Sequence, residues 1–409
     1  MEEVLSSGLF ETRLGRSMSG IEDAFQEVAG ATALLWGRIA DALEEARREP
    51  EEWVPVAPGD TGPRVRELAE RSAAADIAMR LRLSDQTVRA YGALAVRLRD
   101  RLPRMWAALR LGSVTPQAAR TALELSDVLD PDAVHRFDEQ ILGPALTGTP
   151  SVLRRRAHAL VERLSGSTPT DRHATAAQRR GVWFEDGIDG MAWLHAHLPA
   201  ASAHRVKVRL DAEAAALAAD QQRMSVAEPR TRDQLRADVA ADLLTGDGTP
   251  SAVRTEVVVT VPVLALLGRD ELPASLDGIV PIDAATAREL AADAPSFHRL
   301  LTDPIDSAAL DLGRRSYRPP SDLTRWVRMR DRVCARPGCT RRSRDCDLDH
   351  VVPFSELGAR GATAGRNLVA LCRADHRLKH PTRWRVTGAD GRLTWTSPTG
   401  AHHTTDPPF

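Results

Sequence analysis

Four cysteines, Cys334, Cys339, Cys346 and Cys372, lie close together near one end of the chain, and none occurs before them. Cys334-x4-Cys339 makes one half-site and Cys372 begins a second. Thiolates grouped this way form a structural zinc clip. A small β-rich module buries too little surface to fold alone, and a metal supplies the missing free energy. Between and beyond the half-sites stand Asp349-His350, then Pro353, Asn367 and His376. These residue types suit hydrolysis of a phosphodiester. A carboxylate and an imidazole can hold one hard divalent cation, a second imidazole can deprotonate water, and an amide can fix the orientation of that imidazole. A stapled secreted fold would spread its cysteines, so the clustering predicts a reducing, cytoplasmic setting.

The elements that must position these residues follow from pattern. In an extended strand positions 346, 348 and 350 share a face. Lys379 and His380 follow His376 on the expected final helix, at i+3 and i+4. A hairpin is expected from 383–386 and 392–395 around 388–391, with Trp384 and Trp395 packing it onto the module. Arg325, Arg328 and Arg332 form an i, i+3, i+7 stripe, which is either a phosphate-facing helix or a solvated face. His402 and His403 are expected to have no specific role.

Upstream, residues 1–19 read as a loose arm. Residues 20–164 read as a helical domain. Its first helix covers 21–48, from the spacing of Ile21, Phe25, Val28, Leu35, Ile39 and Leu43. Ser84, Thr115, Asp130 and Thr149 are the expected N-caps. A polar stretch, 165–178, marks a boundary. An α+β domain is expected over 179–313, with two short strands around Asp186-Gly187, helices at 200–219, 230–244 and 284–292, and a β-branched strand at 255–263. The terminal hairpin and tail occupy 386–409. Residues 75–89 fit a helix-turn-helix in which Ser84 caps the second helix and Gln86 and Arg89 face outward; ordinary helix packing is the competing reading.

The net charge of −1 conceals a split. Residues 314–385 carry 18 Lys+Arg against 7 Asp+Glu, whereas residues 1–313 carry 36 against 47. A basic segment in an otherwise acidic chain points to a polyanion partner for that segment. The composition is that of a globular protein, 43% apolar and 27% charged, which excludes wholesale disorder. The longest apolar stretch is strand-sized and contains Pro262, so no membrane span is expected. The acidic opening Met1-Glu2-Glu3 predicts no signal peptide.

Residues 321–385 resemble an HNH nuclease module, the ββα-metal fold, which is treble-clef-like. The stretches 230–238, 300–304 and 313–320 are similar to the domain-of-unknown-function 222 region (thirteen-E-twelve repeat type) that is fused to such modules in actinobacteria. The resemblance implies an α+β multidomain protein: a mainly helical N-terminal region, an α+β middle and a small ββα-metal module. It implies a DNA endonuclease that leaves a 3′-hydroxyl and a 5′-phosphate. His350 would be the general base, held by Asn367. Asp349 and His376 would bind the catalytic Mg2+ or Mn2+. Cys334, Cys339 and Cys372 would hold the structural Zn2+. Relatives carry His or Cys where this chain has Asp375, so the fourth ligand is left to Asp375 or Cys346. Arg360, Arg366, Arg377 and Lys379 are the candidate contacts to double-stranded DNA.

Other readings stay open. His376 would instead complete a Cys372-x3-His376 zinc half-site in a module without catalytic metal. The chain would then be a zinc-stabilised nucleic-acid-binding or regulatory protein without turnover, or a degenerate nuclease that scaffolds partners. Cutting both strands in one event would require a homodimer. The acidic residues 1–313 would have an unknown protein partner, or would cover and restrain the basic module.

Overall fold

The computed structural model describes residues 13–56, 62–187, 190–223, 229–246, 259–269, 274–276, 280–292, 319–354 and 361–405. The chain divides into two compact units, residues 169–298 and the remainder, so the C-terminal module shares its unit with the first 168 residues.

The first unit opens with seven helices: α1 (Arg13–Arg48), α2 (Pro63–Leu81), α3 (Asp85–Arg101), α4 (Pro103–Arg110), α5 (Pro116–Ser126), α6 (Pro131–Thr147) and α7 (Pro150–Leu164). Five of them start on proline, whose fixed φ suits the first turn and whose missing N–H is not needed there. The side chains of Ser84, Thr115 and Asp130 accept from the N–H of Thr87, Ala118 and Ala133, as expected. Thr149 makes no such cap; its hydroxyl meets that of Ser151 instead. Helix α1 runs back to Arg13, into the segment expected as a loose arm. Extending an established helix adds one hydrogen bond per residue fixed, and α1 is anchored from Ala29 onward, where Ala29, Ala33, Trp36 and Ala40 enter the core.

Small alanines on α1 let Leu98, Leu102, Met105, Leu109, Phe137 and Ile141 approach closely. Gly112, at φ +75°, turns the chain between α4 and α5 so near α1 that a Cβ would meet the Gln26 carbonyl oxygen at 2.3 Å. The Arg120 guanidinium stacks over Trp36 at 4.9 Å and Tyr91 at 5.7 Å. Helix α4 has no local cap. Its first amides instead donate to Asp138 of α6, from Arg104 at 2.8 Å and Met105 at 3.1 Å. Burial lifts the Asp138 pKa, against the lowering effect of those two bonds.

The second unit begins with α8 (Pro169–Ala177), a helix inside the stretch expected to be a patternless boundary. Strands β1 (Gly181–Asp186) and β2 (Ala192–His197) pair antiparallel, and their aromatic residues, Trp183, Phe184 and Trp193, are all exposed. Helices α9 (Ala200–Arg223) and α10 (Arg232–Thr245) follow, the latter opened by a capping box of Thr231 and Gln234. A small sheet of β3 (Val259–Thr260), β4 (Ala274–Leu276) and β5 (Val280–Ile282) comes next. The strand expected over 255–263 is described only from 259; Val263 already opens the short helix α11 (Val263–Leu266), and α12 (Ala284–Ala292) closes the unit. Among the described residues no helix is long and apolar enough to cross a membrane.

The C-terminal module comprises α13 (Ser321–Asp331), β6 (Asp347–His350), β7 (Leu368–Leu371) and α14 (Arg373–Lys379). A three-stranded sheet, β8 (Arg385–Ala389), β9 (Arg392–Thr396) and β10 (His402–Thr405), completes it. Strands β6 and β7 run antiparallel, with Asp347 opposite Leu371 and His350 opposite Leu368. Arg330, 2% exposed, pins this ladder: it pairs with Asp331 at 2.6 Å and donates to the carbonyls of Gly365 and Leu368. Asp331 in turn accepts from the Ala370 N–H. The terminal hairpin packs onto the module through Trp384 and Trp395, as expected, and shares its core. Leu393, Trp384 and Trp395 are buried with Cys334, Cys346, Cys372 and β7. Ala75 and Met79 of α2 belong to the same cluster, and Trp384 Nε1 donates to Ser72 Oγ at 3.0 Å.

Asp138→Ala leaves two buried amides without an acceptor and is expected to destabilise the first unit by about 2 kcal/mol. Asp138→Asn keeps an acceptor and removes the buried charge, so its loss is expected to be under half as large. Urea denaturation followed by circular dichroism checks both, and an Ala variant as stable as the wild type would refute the capping role.

Candidate active site

Two polar clusters adjoin α14. The first gathers Cys334, Cys339, Cys372 and Asp375, whose ligand atoms all lie within 4.8 Å of one another. The loop after α13 presents the first two cysteines. Cys334 N–H donates to the Arg341 carbonyl, Ala335 N–H to the Ala370 carbonyl, and Gly338, at φ +78°, makes the turn toward Cys339. Cys372 precedes α14, and Asp375 sits in its first turn. Asp375 Oδ2 lies 3.2 Å from Cys334 Sγ and 3.0 Å from Cys372 Sγ. Of the two alternatives for the fourth position, Asp375 stands in the cluster. Cys346 lies in the same buried core, its thiol against Cys334 and 3.3 Å from the Arg342 carbonyl, but it is not one of the four grouped ligands. Hydrogen bonds from Cys334 and then Cys339 push the Cys372 pKa far down, so a thiolate is favoured there. Three sulfurs and one carboxylate oxygen at this separation form a donor set suited to a tetrahedral divalent ion.

The second cluster is Asp349, His376 and His380. Asp349 stands on β6 and the two histidines lie one turn apart on and just after α14, with ring centroids 4.6 Å apart. Asp349 Oδ1 lies 3.4 Å from His376 Nε2 and 3.1 Å from His380 Nε2. Its other oxygen, Oδ2, accepts from Lys379 Nζ at 2.7 Å, and the same ammonium reaches the His350 carbonyl. Burial works to raise the Asp349 pKa, yet the hydrogen bond and charge of Lys379, then those of His380, outweigh it and hold the carboxylate below its ordinary range. The ionised carboxylate and the two imidazoles fit a hard or borderline divalent cation on the Oδ1 side.

His350 ends β6 and is 7% exposed. Its Nε2 is 3.0 Å from Thr363 Oγ1, and its ring lies against Phe354. Burial pushes its pKa below the ordinary value, opposed by Asp349 and reinforced by Lys379, which favours the neutral imidazole.

Several expected roles change. Asn367 does not hold the His350 ring. Its amide accepts from Val352 N–H at 2.9 Å and donates to the carbonyls of Val352 and Ala362, both at 3.0 Å. It ties Val352 to Ala362, two residues after His350 and one before Thr363. Lys379 is no surface phosphate contact, because its side chain is 9% exposed and bound to Asp349. Arg366 and Arg377 are exposed as a phosphate contact requires, while Arg360 lies outside the described residues. The arginine stripe is split: Arg325 is exposed, whereas Arg328 is half-buried and donates to the Cys346 carbonyl. His403 is not idle either, lying beside the Trp384 ring and 3.9 Å from Asp76. Sequence reasoning placed His380 on one face with His376 but did not count it among the metal ligands; the i, i+4 repeat with His376 was the signal for a shared site. Nothing in the sequence marked Thr363.

Residues 51–331 match the family described as "Domain of unknown function (DUF222)", and residues 332–382 match "HNH endonuclease". The chain belongs to the DUF222 family, with an HNH endonuclease domain following the DUF222 region. Relatives include the uncharacterised proteins Rv3776 and Rv2100 of Mycobacterium tuberculosis. Each is 43% identical over 93 residues, which is 22% of this chain and 17% and 16% of theirs. The match therefore spans about a sixth of those relatives. No solved structure matches this chain. The HNH domain supports a nuclease-type function and a nucleic-acid substrate, and the two clusters are groups that could hold divalent metal.

The structure groups Asp375, and not Cys346, with the three cysteines assigned from sequence. Cys372→Ser is expected to lower tightly bound metal by about one equivalent per chain, because a structural site requires its thiolates. Cys346→Ser is expected to leave metal content unchanged. Inductively coupled plasma mass spectrometry of both variants decides it, and the opposite pattern would exchange the assignments.

Proposed function

We propose that this chain is a metal-dependent endonuclease hydrolysing DNA phosphodiester bonds, with His350 as general base. The reading is carried by one observation: the ligand atoms of Asp349, His376 and His380 lie within 4.8 Å of one another, with the buried His350 next in sequence to Asp349, in a domain that matches HNH endonucleases. Asp349, His376 and His380 would hold Mg2+ or Mn2+, and Cys334, Cys339, Cys372 and Asp375 would hold a structural Zn2+. When bound, the hard divalent ion supplies Lewis-acid stabilisation of charge on the leaving oxygen.

The rest of the chemistry belongs to the chain. His350 takes a proton from the attacking water. We assign the ring proton to Nε2, facing Thr363, which leaves Nδ1 as the basic nitrogen; the contact with the hydroxyl fixes the ring plane. Asn367 ties together the chain beside His350 and the chain beside Thr363. Lys379 holds Oδ2 of Asp349, which turns Oδ1 toward the two histidines. Arg366 and Arg377 add exposed positive charge, and such phosphate contacts make affinity fall steeply with salt. Lowering the proton-transfer barrier and orienting water are effects of the size general-base catalysis provides.

Supercoiled plasmid in Mg2+ or Mn2+ at low salt tests the proposal. Wild type is expected to nick it, and His350→Ala to lower the rate by about 10²- to 10⁴-fold with metal content unchanged. Equal rates in both proteins would remove His350 from the mechanism. Plasmid binding without cleavage by either would favour a nucleic-acid-binding protein without turnover.

A further inference from the structure

The carboxylate in the sulfur cluster faces two ways. Oδ2 of Asp375 points at the thiols of Cys334 and Cys372, while Oδ1 forms an ion pair with Arg336 Nε at 2.8 Å. Arg336 continues outward: its Nη2 donates at 2.7 Å to Oδ1 of Asp85, the first residue of α3. The Arg336 side chain is 5% exposed, Asp375 3% and Asp85 14%, so this is a largely dry path from the sulfurs to the helical region. Alongside it, Ala75 and Met79 of α2 pack in the same apolar cluster as Cys334 and Cys372.

The chemistry of position 375 explains the path. A cysteine ligand must meet the metal and a guanidinium with the same sulfur atom. A histidine ligand has a second nitrogen that carries a proton, which repels a donor. A carboxylate can ligate with one oxygen and leave the other to form an ion pair with arginine. Charge points the same way. Three thiolates and a carboxylate around a dication carry a net charge of about −2 in a site with little water, and an arginine beside the carboxylate offsets part of it.

We propose that Asp375 is a bridging ligand: it links a zinc ion at the cysteine cluster, through Arg336, to Asp85 of α3, so that metal retention and the docking of α2–α3 onto the module are one linked equilibrium. The proposal rests on the zinc reading of the cysteine cluster given above. Linkage makes the effect reciprocal: breaking the Arg336–Asp85 contact weakens metal binding, and removing the metal loosens α2–α3. This also assigns a task to part of the DUF222 region, as the outer support of the zinc site.

The test uses the full-length protein and follows zinc release into a chromogenic chelator at a temperature well below unfolding. Asp85→Asn and Arg336→Met are expected to speed release by about tenfold, the scale of lost outer-sphere support, with one zinc still bound at the start. In an Asp375→Cys background, Asp85→Asn is expected to change nothing. Hydrogen exchange on the wild type supplies the reciprocal readout, with faster exchange across 75–90 after chelation. Release rates unchanged in Asp85→Asn overturn the bridge even if Arg336→Met fails to fold. So does an Asp85→Asn effect that persists undiminished in the Asp375→Cys background, which would mark Asp85 as general structural support. A wild type that binds no zinc overturns the zinc reading itself and the bridge with it, an outcome seen in the initial metal content before any release is measured.

Discussion

Helix α14 is seven residues long, far too short to persist in water without outside support, because nucleating a helix costs more than so few hydrogen bonds return. Yet residues from both clusters depend on it. Cys372 and Asp375 belong to its N-terminal side, and His376, Lys379 and His380 follow toward its C-terminal end. Its support is tertiary: Leu378 is fully buried among β7, Trp384 and Trp395, Asp375 is tied to Arg336, and Lys379 is tied to Asp349. Adjacent residues 375 and 376 therefore serve different centres. A shift of α14 by a fraction of an ångström would be felt at both.

That dependence changes how the DUF222 region is understood. An acidic segment ahead of a basic module invites the idea of a cover. The contacts within the first unit are of another kind. Helix α2 contributes Ser72, Ala75 and Met79 to the module's core, Asp76 accepts from Thr399, and Arg383 N–H donates to the Trp53 carbonyl at 2.9 Å. These contacts lie on the side of the cysteine cluster and the terminal sheet, while His376 and His380 remain 36% and 49% exposed among the described residues. The helix-turn-helix outline of α2 and α3 has the same explanation. Its turn is present, capped by Ser84, but Asp85 within it is engaged with Arg336. An outline made by two packed helices does not of itself address a groove.

Much of the candidate site was legible because its signals are local in sequence. The cysteine spacing, the Asp349-His350 pair and the basic excess around them identify the type of chemistry without any knowledge of packing. Ser84, Thr115 and Asp130 located three helix starts, since a cap acts through backbone groups two or three residues away. Less was legible where a residue's role depends on a partner distant in the chain. Asn367 is of the expected type at the expected place, but whether its amide reaches an imidazole or a backbone depends on how the 351–367 loop closes. Lys379 has the charge of a phosphate contact and the burial of a structural ion pair, and only the approach of β6 to α14 separates the two.

By itself, then, the sequence determined which residues are chemically competent, where several of the helices begin, and which segment carries positive charge. These are properties of residue type, of period and of nearest neighbours. The tertiary structure decided how those groups are shared out. It placed Asp375 with the sulfurs and Cys346 in the core, gave Asp349 a lysine on one oxygen and histidines on the other, and set Thr363 against His350. It also made α2 a wall of the module. Each of these is a meeting of groups far apart in the chain, settled by burial and by the pairing that buried polar groups require, and no local pattern encodes such a meeting.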